Sequence, residues 1–347
     1  MKRQLLGVAA ILLSISTYAQ DNPLWMRYCA ISPDGTTIAF TYKGDIYTVP
    51  STGGRASQIT TNPAHDTKPI WSPDGKKIAF ASDRMGSMDI FEVNKEGGIP
   101  KRLTTHSGNE TPVAYKDAGH ILFLANIMPT AEDAQFPSGQ FQQVYEVNTE
   151  GGRPILFSSM PMEDISINHT GNTLLYHDKK GYEDPWRKHH TSSITRDIWL
   201  CSLNGNRTFR KQTAFNGEDR TPVWASDDKS FYYLSEEKGS FNIFKRDIDG
   251  NTSKQITNHT KHPVRFLSAA SNGTLCYGYD GEIYTVKEGA IPQKVQISIV
   301  TDKNDKDLIR QIKRSGATEI SLSPDAKEIA FVLRGDVYVT STEYSLS

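Results

Sequence analysis

The sequence is poor in cysteine and has no excess of either charge. Its 347 residues contain three cysteines, too few and too widely spaced for a disulfide framework or a zinc site. With 39 Lys and Arg against 40 Asp and Glu, the formal net charge is −1 at pH 7. The chain therefore lacks the basic excess of electrostatically driven nucleic-acid binders, and no polybasic stretch suggests a membrane-surface patch. Cys29, Cys201 and Cys276 each lie in a strand-like apolar run, where we expect buried, small apolar side chains.

Recognisable catalytic motifs are also missing. The sequence has no Gly-x-Ser-x-Gly nucleophile elbow, no His-Glu-x-x-His zinc motif and no glycine-rich phosphate loop between a strand and a helix. His189 and His190, close to Glu183, Asp184 and Asp197, form the one cluster that suggests a metal. Adjacent side chains on an extended loop point in different directions, which disfavours such a site. We predict no catalytic residue, no metal site and no cofactor in this chain.

Long hydrophobic runs are confined to the N-terminus. Lys2 and Arg3 precede the apolar stretch Leu5–Ile15, which has the length of the hydrophobic region of a signal peptide. This stretch is shorter than the roughly 20 residues that span a bilayer. Small residues within Thr17–Ala19 then provide a cleavage point. We predict that residues 1–19 are a cleaved signal peptide and that the mature protein is periplasmic or secreted.

The dominant feature of the sequence is an internal repeat. The string Ile-Ser-Pro-Asp-Gly at Ile31–Gly35 returns as Trp-Ser-Pro-Asp-Gly at Trp71–Gly75, with similar apolar segments after each copy. The same aromatic position recurs in seven copies, at Phe40, Phe80, Phe123, Tyr176, Tyr233, Tyr277 and Phe331. A period of roughly 40 to 45 residues with four short strands is typical of β-propeller blades. Pro-Asp-Gly favours a tight turn between the first two strands, so we interpret the motif aspartates as turn residues.

Counting the copies gives the predicted architecture. Six complete copies occupy residues 24–298, a charged linker covers 299–316, and 317–347 supply only three strands of a further copy. We predict an all-β fold: a six-bladed β-propeller of four-stranded blades, followed by a linker and the truncated first blade of a second propeller. The alternative is a seven-bladed ring completed by an N-terminal strand. It is disfavoured because Pro23 interrupts the segment free for that strand.

The repeat resembles that of TolB-type propellers of exported bacterial proteins, as in Trp-Ser-Pro-Asp-Gly-Lys-Lys-Ile-Ala-Phe at residues 71–80. The order of the parts is more specific. A leader, six blades containing Asp219–Trp224 and Cys276–Val286, and Ser315–Glu319 opening a new blade resemble the N-terminal part of tricorn-like proteases. In that family a six-bladed propeller precedes a seven-bladed propeller, a PDZ domain and a serine-peptidase core. Here the second propeller is nearly absent, and the PDZ and peptidase regions are missing.

The resemblance implies a non-catalytic propeller part of a serine peptidase that gates or docks oligopeptides at a central channel. None of the family's catalytic residues has a matching position in this sequence, so hydrolysis would depend on other domains. The implied partners are oligopeptides or a protein and the remaining domains of the parent chain, with homo-oligomerisation left open. The alternative is a stand-alone TolB-like periplasmic binding or scaffold propeller that acts through protein partners. A propeller capping an α/β-hydrolase is disfavoured because a further blade copy follows the six.

Propeller geometry places the candidate binding residues on one face. Loops that lead into the first strand of each blade open on the same face as loops between the second and third strands. The former are rich in polar residues, and two long insertions, Ile127–Gln140 and Lys179–Thr195, belong to the latter. Arg220 is the preferred contact, because a guanidinium can bind a peptide carboxylate through two hydrogen bonds. The predicted peptide-binding residues are Arg220, Asp219, Glu218, His65, Asp66, Lys261, His262 and Arg187.

Overall fold

The structure, a computed structural model, describes residues 23–127, 141–182, 192–300 and 313–343. These ranges contain strands, turns and bends but no helical segment. Consequently, no helix among the described residues is long and apolar enough to cross a membrane. The predicted signal peptide, most of the linker, the two insertions, Arg187, His189 and His190 lie wholly or largely outside the described residues.

Six four-stranded antiparallel sheets follow one another along the chain, and each forms one blade. Blade 1 contains β1 Arg27–Ile31, β2 Thr37–Tyr42, β3 Asp45–Pro50 and β5 Ser57–Gln58, with the short β4 Gly54–Arg55 before β5. Blade 2 contains β6 Asp66–Trp71, β7 Lys77–Ser82, β8 Asp89–Asn94 and β9 Lys101–Arg102. Blade 3 contains β10 Thr111–Asp117, β11 His120–Ala125, β12 Gln143–Asn148 and β13 Ile155–Ser158.

The second half of the ring repeats this order of strands. Blade 4 contains β14 Met162–Ile167, β15 Thr173–Asp178, β16 Ile198–Ser202 and β17 Thr208–Lys211. Blade 5 contains β18 Asp219–Trp224, β19 Ser230–Ser235, β20 Asn242–Asp247 and β21 Ser253–Gln255. Blade 6 contains β22 Arg265–Ala269, β23 Leu275–Tyr279, β24 Glu282–Val286 and β25 Gln293–Lys294. After β26 Ile297–Ser298 comes a separate three-stranded sheet of β27 Ala317–Leu322, β28 Glu328–Leu333 and β29 Asp336–Ser341.

The first strands of the six blades form a closed inner ring. Each contacts the first strand of the next blade, and β22 of blade 6 contacts β1 of blade 1. One hydrogen bond recurs at five blade boundaries: an N–H at the start of a first strand donates to a carbonyl in the β2–β3-type loop of the preceding blade. The donors are Met26, Asp66, Glu110, Asp219 and Val264, and the acceptors are Gly281, Gly44, Met88, Arg196 and Phe241 respectively. This confirms the six-bladed propeller, and it places both kinds of loop on one face.

The chain closes the ring by returning to blade 1. Ile297–Ser298 pairs in parallel with Gly54–Arg55, so a segment that follows blade 6 is bonded to the edge of the first blade. Gly53 permits this close approach, because its φ is 91° and a Cβ atom there would lie 2.7 Å from the carbonyl oxygen of Gln296. We call the boundary between blades 6 and 1 the seam.

The Ser-Pro-Asp-Gly motif builds the turn between the first two strands of a blade. The Ser72 hydroxyl donates to the Asp74 carboxylate over 2.7 Å and accepts from the Lys77 N–H over 2.9 Å. The same pair of bonds joins Ser323 to Asp325 and Glu328 in the last sheet. The motif aspartates are therefore turn residues, as their sequence context predicts.

A threonine that follows the short fourth strand of four blades also has a structural role. The hydroxyls of Thr60 and Thr257 accept the N–H of Ile46 and Ile243, near the start of the third strand, at 2.9 Å each. Thr104 and Thr213 make the same bond in blades 2 and 4. In these four blades the bond attaches the end of the short outer strand to the third strand.

Candidate functional site

The six first strands surround a central cavity of about 560 Å³. A β-bulge interrupts the register of each of these strands. In five of them the bulge contains a residue with left-handed backbone geometry, and these residues are Tyr28, Lys68, Asp164, Thr221 and Phe266. A bulge turns the side chains beside it away from the normal alternation, and all five of these residues line the cavity.

One wall of the cavity, between blades 4 and 5, carries charged side chains. Glu163 lies on this wall among three basic side chains. The Glu163 carboxylate lies 2.7 Å from Lys179 Nζ, 3.2 Å from His177 Nε2 and 3.5 Å from Arg196 Nε. Burial acts to raise the pKa of Glu163, but hydrogen bonds and charge from His177 and Lys179 outweigh it and hold that pKa well below its usual range. Glu163 is therefore ionised at neutral pH.

The charged wall continues through Arg196 into blade 5. Arg196 Nη1 donates to the buried carboxylate of Glu218 over 2.6 Å, and Arg220 Nε lies 3.7 Å from the same oxygen. The Arg220 guanidinium also lies 4.2 Å from the ring centroid of Phe241. Burial lowers the pKa of Arg220, although an arginine remains cationic over the whole physiological range. Glu218 and Phe241 thus hold a cationic, largely buried side chain at the cavity wall.

The seven predicted binding residues that the structure describes fall into three groups. Arg220 lines the cavity, and Glu218 supports it from behind. Asp66 and Asp219 are buried: both oxygens of Asp66 accept from Arg84 Nη2, at 2.9 and 2.8 Å, and burial raises the pKa of Asp219 to about 7. Neither carboxylate forms part of the cavity lining.

His65, Lys261 and His262 lie on the loop face of blades 2 and 6, outside the cavity lining, and Arg187 lies outside the described residues. Burial lowers the pKa of His65, assisted by the charge of Arg334 from the last sheet. His262 Nε2 lies 3.3 Å from Asp280, and Lys261 is exposed. The structure therefore brings Glu218 and Arg220 together at the channel and leaves His65, Lys261 and His262 apart from them.

Several channel residues escape prediction from the sequence. Lys68, His177, Lys179, Arg196 and Arg265 all line the cavity. One signal could have identified Arg265: when the blades are aligned on their bulges, Arg27, Arg220 and Arg265 occupy the same position in blades 1, 5 and 6. Arg220 and Arg265 line the cavity, whereas Arg27 pairs with Glu319 of the last sheet at 3.2 Å.

Among the described residues, no group of three or more His, Cys, Asp or Glu side chains is arranged to hold a metal ion. The cavity lining combines five cationic side chains, Lys68, Lys179, Arg196, Arg220 and Arg265, with two carboxylates, Glu163 and Asp164. Apolar side chains from several blades, including Ile70, Val113, Ile165 and Val223, form the rest of the wall. Such a surface can accept an anionic group at one side and apolar groups elsewhere.

Comparison with known proteins places this geometry in a family. Tricorn protease homolog 1 of Streptomyces coelicolor is 25% identical over 281 residues, which are 80% of this chain and 25% of that protein. The tricorn protease of Thermoplasma acidophilum is 25% identical over 328 residues, or 91% of this chain and 29% of that protein. This chain thus spans about a quarter of the length of these relatives.

A solved structure agrees at the level of the fold. The crystal structure of the tricorn protease superposes with a TM-score of 0.66 and 21% identity, covering 92% of this chain and 30% of that chain. The family model described as the tricorn protease N-terminal beta propeller domain matches residues 23–290. The chain belongs to the tricorn protease N-terminal β-propeller family.

Proposed function

We propose that this propeller is the non-catalytic channel domain of a tricorn-like serine peptidase and docks oligopeptides by their carboxyl terminus. Family membership supports the link to a peptidase, because proteins named tricorn protease share this propeller. The observation that carries the docking role is the cationic excess of the cavity, where five basic side chains outnumber the two lining carboxylates and the buried Glu218 behind them. On this proposal, hydrolysis belongs to other domains of a longer protein.

The carboxyl terminus is the peptide group that suits this wall best. Every peptide has a free α-carboxylate whatever its sequence, and two arginines, Arg220 and Arg265, lie at matching positions of adjacent blades. A guanidinium binds a carboxylate through paired N–H groups, and the interaction is stronger in a partly buried site than in bulk water. The apolar wall around Val113, Ile165 and Val223 would contact peptide side chains without strict sequence selection. The cavity, about 560 Å³, has the size of a site for a short peptide segment.

We also propose that residues 1–19 direct export, so that the mature chain works in the periplasm or outside the cell. The basic residues Lys2 and Arg3, followed by the apolar stretch Leu5–Ile15, support this proposal. The N-terminal peptide of the protein isolated from fractionated cells tests it. A mature terminus near Gln20 in the extracytoplasmic fraction is expected, and an intact leader in the cytoplasm would refute export.

The docking role is tested by calorimetric titration with a short apolar peptide, first with a free and then with an amidated carboxyl terminus. We expect amidation, or Arg220→Ala in the protein, to weaken binding by about tenfold or more, because each removes one partner of a charge-assisted contact. Amidation should have little further effect on the Arg220→Ala variant. The matched control is Arg210→Ala, since Arg210 is an exposed arginine on β17 that pairs with Asp249 outside the cavity. Equal affinities for both peptides would refute the carboxylate contact.

A separate observation tests the link to a peptidase. The coding sequence downstream of Ser347 should continue into further blades and a serine-peptidase region. If the reading frame stops there, a stand-alone binding propeller is the better description. Peptide titration still decides whether the channel binds carboxylates, so the two parts of the proposal can fail independently.

A further inference from the structure

The seam brings two cysteines of distant sequence position together. Cys29 lies on β1, the innermost strand of blade 1, and Cys276 lies on β23, the second strand of blade 6. Both are buried, with 4% and 0% of their surface exposed, and both belong to one apolar cluster that joins the two blades. The third cysteine, Cys201, lies in a different cluster between blades 3 and 4.

The Cys29 thiol donates to the carbonyl oxygen of Phe266 over 3.4 Å, on the strand that pairs with the strand of Cys276. Cys29 is also close enough to Cys276 to act with burial in raising its pKa. The Ser268 hydroxyl links the backbones of the two blades at the seam, because its Oγ lies 3.4 Å from the carbonyl oxygens of both Cys29 and Cys276. The same hydroxyl accepts the N–H of Ile31 over 3.0 Å. The two backbones are thereby held in register, and their side chains enter the same space between the blades. Burial raises the pKa of Cys276, so the closed ring keeps this residue protonated and slow to react.

We propose that Cys29 and Cys276 form a disulfide that covalently closes the propeller at the seam, by exchange with a low-molecular-weight disulfide such as oxidised glutathione. The thiolate of one cysteine attacks a sulfur of the glutathione disulfide and releases one glutathione thiol. The second cysteine, having lost its proton, attacks the mixed disulfide and releases the second glutathione thiol. The protein pair loses two electrons and two protons, and the glutathione disulfide is reduced to two thiols.

The location of the pair explains what the bond would do. The non-covalent closure at the chain end is short, since β26 and β4 pair over two residues each. A bond from Cys29 to Cys276 would join the first strand of the ring to its last blade. It would therefore restrict the unfolded chain over nearly the whole propeller, which is the arrangement in which a cross-link stabilises most. Because both sulfurs are buried, the exchange requires a chain that is still folding or a seam that opens transiently.

The test uses the chain with all three cysteines. The reduced, unfolded protein is refolded in a glutathione redox buffer, free thiols are blocked by alkylation, and the cross-linked peptides are mapped by mass spectrometry. We expect one linked pair, Cys29 with Cys276, whose mass is lower by two hydrogens, and an alkylated Cys201. The same oxidation in strong denaturant is the reference, where no fold selects a pair and all three pairings should appear.

A second measurement follows the effect on unfolding. The oxidised protein should unfold at a temperature higher by roughly 5 to 10 °C, and reduction with dithiothreitol should remove the shift. The matched variants are Cys201→Ala, which should keep the shift, and Cys276→Ala, which should lose it. The proposal is overturned if refolded protein retains three free thiols, forms mainly intermolecular bonds, or gives the same pairings as the denatured reference. Since the mapping needs no variant, a poorly folding Cys276→Ala protein would leave this test intact.

Discussion

At the scale of single residues, the buried carboxylates of Glu110 and Asp219 and the half-buried carboxylate of Asp45 make the stability of the propeller dependent on pH. Burial is the main cause that raises the pKa values of Asp45, Glu110 and Asp219 to about 7 each. Nearby carboxylates act in the same direction, Asp66 on Asp45 and Asp197 on Asp219. In the unfolded chain these groups titrate at their ordinary values, near pH 4. Between about pH 4 and about pH 7, the folded state therefore binds more protons than the unfolded state.

The expected consequence is a loss of stability as the pH rises. The stabilisation is complete below about pH 4 and disappears as the pH rises through about 7, where the folded carboxylates must ionise in a buried site. Asp219→Asn removes one of these ionisations. Between about pH 5 and about pH 8, the free energy of unfolding of this variant, measured by urea titration, should therefore fall by on the order of 1 kcal/mol less than that of the unsubstituted protein. The exposed Asp249→Asn is the control. An unchanged pH dependence in the Asp219→Asn variant would contradict this account.

The segment Glu218–Arg220 shows how far a site can be predicted from sequence. The polar character of Glu218, Asp219 and Arg220 and their place at the start of a first strand are both predictable. Their separate orientations are not, because the β-bulge after Arg220 breaks the alternation that would assign side chains to faces. Arg196 was missed for another reason: it reaches Glu163 and Glu218 from the far end of an insertion, and no local pattern signals such a contact.

At the scale of elements, the repeat predicts strands well where the strands are long and apolar. The second strand of each blade is almost completely buried, as in Lys77–Ser82, and a run of apolar residues identifies it. The parallel pairing of β26 with β4 could not be predicted, because two-residue strands have no periodicity. Its position follows from ring closure, which brings together segments that are far apart in sequence.

Gly53 provides a direct test of that closing element. Gly53→Ala should destabilise the protein by roughly 1 to 3 kcal/mol, because φ is 91° and the new Cβ would lie 2.7 Å from the Gln296 carbonyl oxygen. The matched control is Gly97→Ala, since Gly97 occupies the same turn of blade 2 with φ 92° and its nearest neighbour is 3.6 Å away. Urea unfolding of both variants separates backbone strain from the clash at the seam. Equal losses would mean that the approach of Gln296 contributes nothing measurable.

At the scale of the whole molecule, the ring and the last sheet differ in how they bury their apolar faces. In the blades, aromatic pairs such as Phe80 and Phe91 are buried, with ring centroids 6.1 Å apart. The last sheet has the equivalent pair, Phe331 and Tyr338, at 5.5 Å, yet Tyr338 is 45% exposed. Ile320, Leu322 and Val339 are also exposed on this sheet. A single repeat unit buries its apolar face only against a neighbouring unit, and here the described chain supplies none on that side.

Two shortened chains separate the contributions of ring closure and the last sheet. A protein ending at Val300 retains every strand of the ring and β26, so its unfolding temperature should stay close to that of the 347-residue chain. It should also self-associate less in sedimentation experiments, because it lacks the exposed face of the last sheet.

A protein ending at Lys294 also loses Val295 and Ile297, two side chains buried at the seam, and the pairing with β4. Burial of two such side chains contributes roughly 3 to 6 kcal/mol, so this protein should unfold at a much lower temperature. If both shortened chains unfold at the same temperature, residues 295–300 do not close the ring, and the contacts between β22 and β1 must hold it closed without them.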